Sequence, residues 1–317
     1  MPGEFSLSGK RVWVAGHRGM VGSALVRRLK GENITLLTTT RSQLDLKRQA
    51  DVEAWMRREK PQAVFVAAAV VGGIVANDTR PAEFLTDNLQ IQTNIIATAH
   101  EIGVEKLLFL GSTCVYPRLA PQPMNEDALL TGPLETTNQW YAVAKIAGIK
   151  QCQAYRREYG RDFISCMPTN LYGPEDNFDL TSSHVLPALI AKAHDAKTKG
   201  TPTLQLWGTG TPRREFLHVD DLADACVFLM KTYSDEQLVN IGVGHDVTIR
   251  ELAELIADVV GFKGTFTFDP SKPDGTPRKL VDVGRINGLG WKAKTGLRDG
   301  IAATYEWYRN NVAAAAE

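Results

Sequence analysis

Apolar residues recur along this chain with two different periods. Short runs in which nearly every position is apolar or β-branched, Arg11 to Ala15 (RVWVA), Ile34 to Thr38, Ala63 to Ala69 (AVFVAAA), Lys106 to Leu110 (KLLFL) and Phe163 to Met167 (FISCM), read as strands. Between them apolar positions fall three and four apart, as at Met20, Leu25, Val26 and Leu29. This spacing predicts helices there, over Val52 to Lys60, over Ala82 to Ile102 and over Gln139 to Lys150. Strand alternating with helix predicts an α/β fold of Rossmann type, a doubly wound parallel sheet covered on both faces.

The alternation breaks after FISCM, at the Pro-, Gly- and Asn-rich stretch PTNLYGPEDN. Beyond it SSHVLPALIAKAHDAK predicts a helix capped by Ser182 or Ser183, which puts His184 in its first turn. Another helix is expected to start at Asp220 or Asp221, followed by a strand over Val239 to Val243 and a helix over Thr248 to Val260. A strand over Thr265 to Phe268 and a helix around Thr304 to Tyr308 complete the reading. The chain therefore divides into a cofactor-binding unit at 1–175 and a mainly substrate-binding unit at 176–317, with the chain crossing back between them.

Composition narrows the partners. With 44% hydrophobic residues, 23% charged residues and a formal net charge of zero, nothing calls for nucleic acid or an anionic membrane surface. The longest apolar stretch, Ala63 to Val71, falls far short of the roughly 20 residues of a membrane span. The N-terminus MPGEFSLSGK lacks the apolar core of a signal peptide, and the four cysteines show no metal-like spacing. A cytoplasmic protein without a metal is expected.

Candidate chemistry collects at strand ends. GHRGMVG follows the first strand at once and opens a helix, so Gly16, Gly19 and Gly22 form a dinucleotide turn with the pyrophosphate on the helix N-terminus. After the second strand, where an NAD site offers a carboxylate to the ribose 2′-hydroxyl, the chain has Thr38, Thr39, Thr40 and Arg41. Arg41, with Arg18, suits a 2′-phosphate, which favours NADP. The fourth strand runs into GSTC; if its extended backbone persists, Ser112 and Cys114 share one face. Tyr141 and Lys145 stand one helical turn apart, and an ammonium near a phenol lowers its pKa toward working pH. His184 near a helix N-terminus is expected to stay neutral. Arg213 and Arg214 are candidates for holding a diphosphate.

The runs GHRGMVGSA, AAAVVGGIVAN, LLFLGSTCVYP, YAVAKIAGIK, MPTNLYGPEDNF, SSHVLPALI, REFLHVDD and KPDGTPRKL together resemble the extended short-chain dehydrogenase/reductases that act on nucleotide sugars, through nearly the whole chain. The resemblance implies an NADPH-dependent enzyme that epimerises GDP-4-keto-6-deoxy-D-mannose at C3 and C5 and reduces it at C4. It makes Tyr141 the proton donor to the C4 oxygen, with Lys145 lowering its pKa and touching the nicotinamide ribose. Ser112 would hydrogen-bond the carbonyl, and Cys114 and His184 would form the acid and base pair. It assigns cofactor contacts to Gly16, His17, Arg18, Gly19, Met20, Val21, Gly22, Arg41, Leu110, Gly111, Lys145, Pro168, Asn170, Leu171 and His184. GDP-sugar contacts fall to Lys192, Trp207, Arg214, Lys272 and Asp274, with Lys192 where some members carry Arg. A homodimer through two long helices, Ala82 to Ile102 and Gln139 to Tyr159, is also implied. A sibling 4-epimerase or 4,6-dehydratase with tightly held NAD is disfavoured by Arg41, Cys114 and His184. A dinucleotide-binding regulator without catalysis is disfavoured because Ser112, Tyr141 and Lys145 are all present.

Overall fold

The computed structural model describes residues 4–180, 182–271 and 274–315. Each strand expected in the first half forms, as β1 (Arg11–Ala15), β2 (Thr35–Leu37), β3 (Ala63–Val66), β4 (Lys106–Leu110) and β5 (Asp162–Pro168). Interleaved with them are α1 (Met20–Leu29), α2 (Gln49–Glu59), α3 (Ile74–Thr79), α4 (Pro81–Glu101) and α5 (Gln139–Tyr159). Beyond β5 come β6 (Asn170–Tyr172), α6 (Val185–Lys199), β7 (Thr203–Trp207), β8 (Arg213–Arg214), β9 (Phe216–His218) and α7 (Val219–Thr232). The chain then returns as β10 (Val239–Ile241), which pairs in parallel with β5 and completes a six-stranded sheet in the order β10-β5-β4-β3-β1-β2.

Side-chain alternation explains why these strands read as unbroken apolar runs. Trp13, Val64, Val66, Leu107 and Phe109 face a core shared with α2, α4 and α5, including Ile91, Ile95 and Ile149. Val12, Val14, Phe65, Leu108 and Leu110 face the opposite core, with Leu25 of α1 and Leu222 and Met230 of α7. Both faces are therefore dry, as a parallel sheet between two helical layers requires.

The remaining elements, β11 (Val247–Thr248), α8 (Ile249–Val260), β12 (Thr265–Asp269), β13 (Arg278–Lys279), α9 (Gly284–Gly288) and α10 (Leu297–Asn311), follow in sequence. Most of them build a smaller layer with the small sheets β11-β8-β13 and β12-β7, and a third core forms around Leu186, Ile190, Leu206, Ile256 and Ile301. Two helix starts differ from expectation. His184 itself occupies the N-cap of α6 in an extended conformation, in place of Ser182 or Ser183. The cap of α7 is His218, whose ring accepts a hydrogen bond from the Asp220 N–H at 3.3 Å, so this helix begins at Val219. The β2 strand spans only Thr35–Leu37, and β3 stops at Val66, before the Ala67 to Ala69 segment that the sequence extends it over.

Candidate active site

The turn from β1 into α1 is shaped by its glycines. Gly16 has φ +89°, and a Cβ there would meet the Ala68 backbone at 2.7 Å; a Cβ at Gly22 would run into the Gly16 carbonyl. Gly19 differs. It caps α1 at φ −79°, and a Cβ there would meet only the Gly16 oxygen at 3.7 Å. The fold itself does not require glycine at position 19; the open space above it does so only once something is laid there. The α1 N-terminus has no side-chain cap and no acidic residue in its first turn, so its N–H groups and positive dipole end suit an anion. Arg18 and Arg41 are exposed, and neither forms an ion pair with a carboxylate among the described residues. This cradle fits the diphosphate and 2′-phosphate of NADP.

Leu110 ends β4 with Gly111 just after it, Pro168 ends β5, and Asn170 and Leu171 open β6 shortly beyond, so these expected cofactor contacts lie at or just past the carboxyl ends of the neighbouring strands β4 and β5. From there Ser112, Cys114, Tyr141 and His184 line one cleft of about 380 Å³, a size that suits a small-molecule ligand. The route to this arrangement differs from the expected extended strand. After Ser112 the backbone turns into a short 3₁₀ helix, Thr113–Val115, and the Ser112 Oγ accepts from the Cys114 N–H at 3.5 Å. Capping, not strand alternation, brings the hydroxyl and thiol together.

On α5 the Lys145 Nζ donates to the Leu110 carbonyl at 2.8 Å and lies 5.7 Å from the centre of the Tyr141 ring. Burial pushes Lys145 down to about 8. Burial, then the neighbouring Cys114, pushes the Tyr141 phenol up. The expected acidification of Tyr141 is thus not seen in this state, because the ammonium is tied to a carbonyl beside the ring and both groups are desolvated. Cys114 is 8% exposed, and burial raises its thiol against the opposing pull of Ser112, Lys279 and Lys145. His184 is open to the cleft yet walled by protein. This burial and the positive Lys279 hold its imidazole below the usual range. Both shifts favour the uncharged forms, a thiol at Cys114 and a neutral imidazole at His184.

The far end of the cleft carries Lys192, Trp207, Arg214 and Asp274. The Lys192 ammonium sits 5.4 Å from the centre of the Trp207 ring, and Trp207 is 52% exposed. Asp274 accepts from the Thr209 N–H at 2.7 Å and from its hydroxyl at 2.9 Å, which pins the loop across the cleft. Lys272 lies outside the described residues. Arg213 turns away from the cleft and pairs with Asp246 at 2.8 Å, so of the two adjacent arginines only Arg214 is available to a ligand. Lys279, at the end of the turn that the resemblance assigns to the GDP-sugar, closes β13 inside the cleft; Asn77, Asn138 and Ser183, which the sequence did not mark as site residues, also line it. Nothing local marks the last three: the segments of Asn77 and Ser183 are joined by a Gly73 N–H to Ser182 carbonyl bond of 3.1 Å, and Asn138 ends a 3₁₀ turn, Thr136–Asn138, packed against α3.

The chain is similar to known proteins along nearly its whole length. A model of the NAD dependent epimerase/dehydratase family matches residues 12–242. The chain is 61% identical to GDP-L-fucose synthase 1 of Arabidopsis thaliana, covering 95% of this chain and 94% of that one. It is 58% identical to GDP-L-fucose synthase of Sinorhizobium fredii, covering 98% of each. Among solved structures, a GDP-L-fucose synthetase from Naegleria fowleri bound to NADP superposes with a TM-score of 0.89 at 28% identity, covering 98% of each chain.

Proposed function

The chain belongs to the NAD dependent epimerase/dehydratase family, and we propose that it converts GDP-4-keto-6-deoxy-D-mannose to GDP-L-fucose by epimerisation at C3 and C5 and NADPH-dependent reduction at C4. One observation carries this reading: Ser112, Cys114, Tyr141 and His184 meet in a single cleft whose other end presents Lys192, Trp207 and Arg214. Gly16, Gly19, Gly22, Arg18 and Arg41 hold the dinucleotide, while Lys145, Asn170 and Leu171 border its nicotinamide end. When bound, NADPH supplies the hydride for C4.

The protein's own groups supply the rest. Ser112 and Tyr141 hydrogen-bond the C4 ketone oxygen, and charge developing on that oxygen makes the hydrogens on C3 and C5 acidic. A hydroxyl and a phenol placed for reduction therefore also stabilise the enolate. Inversion needs a proton removed from one face of the carbon and returned to the other. A neutral imidazole at His184 is ready to take one, and a protonated thiol at Cys114 is ready to give one. Tyr141 then protonates the alkoxide at C4. Its raised pKa keeps the phenol protonated until that step. Lys192, Trp207 and Arg214 take the GDP, Arg214 through a donor fork suited to phosphate.

Residues 1–175 form the cofactor unit and 176–317 mainly the sugar-nucleotide unit in this reading. The enzyme acts in the cytoplasm as a homodimer joined through α4 and α5, an arrangement supported by the exposed Trp140 and Val143, which share one face of α5. No helix among the described residues is long and apolar enough to cross a membrane.

The test is incubation with GDP-4-keto-6-deoxy-D-mannose and NADPH in deuterated water. NADPH should be oxidised and GDP-L-fucose formed with deuterium at C3 and C5. Oxidation without deuterium would leave a simple keto-reductase, and neither event would remove the reading.

A further inference from the structure

Glu215, between β8 and β9, is 0% exposed, and no cation pairs with its carboxylate among the described residues. Backbone donors surround it instead. Its Oε1 accepts from the N–H groups of Val243 and Gly244, each at 2.7 Å, and its Oε2 accepts from the Val281 N–H at 3.0 Å. The Thr169 side chain bonds it as well. Its main chain is tied twice more: the carbonyl accepts from the Asn170 side-chain amide at 2.8 Å, and the N–H donates to the Lys279 carbonyl at 3.3 Å.

These partners come from separate parts of the molecule. Val243 and Gly244 follow β10, the edge strand of the cofactor sheet, and Thr169 and Asn170 lie between β5 and β6 at the nicotinamide end. Lys279 and Val281 belong to the strand and loop that bring a cation into the cleft, and Arg214 is the preceding residue in the chain. A Cβ at Gly242 would strike both the carboxylate and Val281, so the chain has been brought as close to Glu215 as a backbone can come. With N–H donors converging on both oxygens, only an acceptor-only group satisfies the site; a glutamine would turn an NH₂ toward an N–H.

We propose that Glu215 is a positioning residue that fixes the two cleft cations, Arg214 and Lys279, relative to the cofactor half, and so sets affinity for the diphosphate of the sugar nucleotide. This rests on the reading that Arg214 meets that diphosphate. A residue that merely held the fold together would lower the affinity for both ligands in step. A residue that aligns one lobe on the other would affect one ligand and spare the other.

The experiment measures binding of GDP and of NADPH separately by calorimetry, for wild type, Glu215→Gln and Arg214→Ala. The expected result is that Glu215→Gln weakens GDP about tenfold or more while NADPH stays within about twofold, as loss of a charged-group hydrogen bond would give. GDP binding at the wild-type level, or equal losses for both ligands, overturns the proposal. If Arg214→Ala leaves GDP affinity unchanged, the diphosphate reading fails first. If Arg214→Ala weakens GDP but Glu215→Gln does not, only the role of Glu215 fails. Should Glu215→Gln not fold, Thr169→Val keeps the three N–H bonds and removes one partner. A GDP-selective loss of about threefold is expected for it, and no loss overturns the proposal.

Discussion

The ammonium of Lys145 stands 5.7 Å from the centre of the Tyr141 ring, and it is the Leu110 carbonyl at 2.8 Å, not the phenol, that holds it there. Its folded-state pKa of about 8 lies below the ordinary lysine value of 10.5. The charge is therefore present below that pH and lost as pH rises through it. NADPH affinity should weaken several-fold between roughly pH 7 and 9 in wild type and stay flat in Lys145→Met, measured by cofactor fluorescence. For stability the sign is opposite, because burying the ammonium costs energy below about pH 8 and the cost is relieved toward the unfolded value. The unliganded Lys145→Met protein should thus unfold at neutral pH no lower in temperature than wild type.

Gly19 and Gly22 should separate cofactor binding from folding. Gly22→Ala forces a methyl into the Gly16 carbonyl and should destabilise the unliganded protein by about 1–3 kcal/mol or more, read as a lower unfolding temperature. Gly19→Ala has room, so its unliganded unfolding temperature should match wild type while NADPH affinity drops at least about tenfold. A Gly19→Ala protein that binds NADPH normally would mean that the phosphates do not pass over this turn.

Arg41 is exposed, without a carboxylate partner among the described residues. Removing one charge-assisted contact to a 2′-phosphate should cost roughly 1.5–3 kcal/mol, or about ten- to a hundredfold in affinity. Arg41→Ala should weaken NADPH by that factor and leave NADH unchanged, so titration with both cofactors decides it.

Cys114→Ser keeps a small buried polar group but replaces the thiol with a far weaker acid. Deuterium uptake at carbon should fall about a hundredfold or more while NADPH binding is nearly unchanged. Equal loss of both would assign Cys114 a structural role. Because burial and Lys279 lower the His184 pKa, wild-type exchange should persist as pH falls below the usual histidine value of 6.5 and fail only further down, where the imidazole finally protonates. An exchange profile that fails at or above 6.5 would contradict a base held neutral by its surroundings.

What the sequence by itself determined was local. The apolar period marked β1, β3, β4 and β5 because these strands are buried on both faces, and Gly16 and Gly22 were legible because their backbone crowding lies within a single strand, turn and helix. The Tyr141 and Lys145 pair was legible for the same reason: one helical turn fixes it. Only the tertiary structure decided what the pair does, since burial outweighs the short-range attraction that the spacing suggests. It also decided that Arg214 enters the cleft while Arg213 is taken by Asp246, that His184 caps its own helix, and that Glu215 ties together segments from residue 169 to residue 281. Spacing sets which side chains are neighbours along one element. Desolvation and partners brought from distant segments set their charge and their direction.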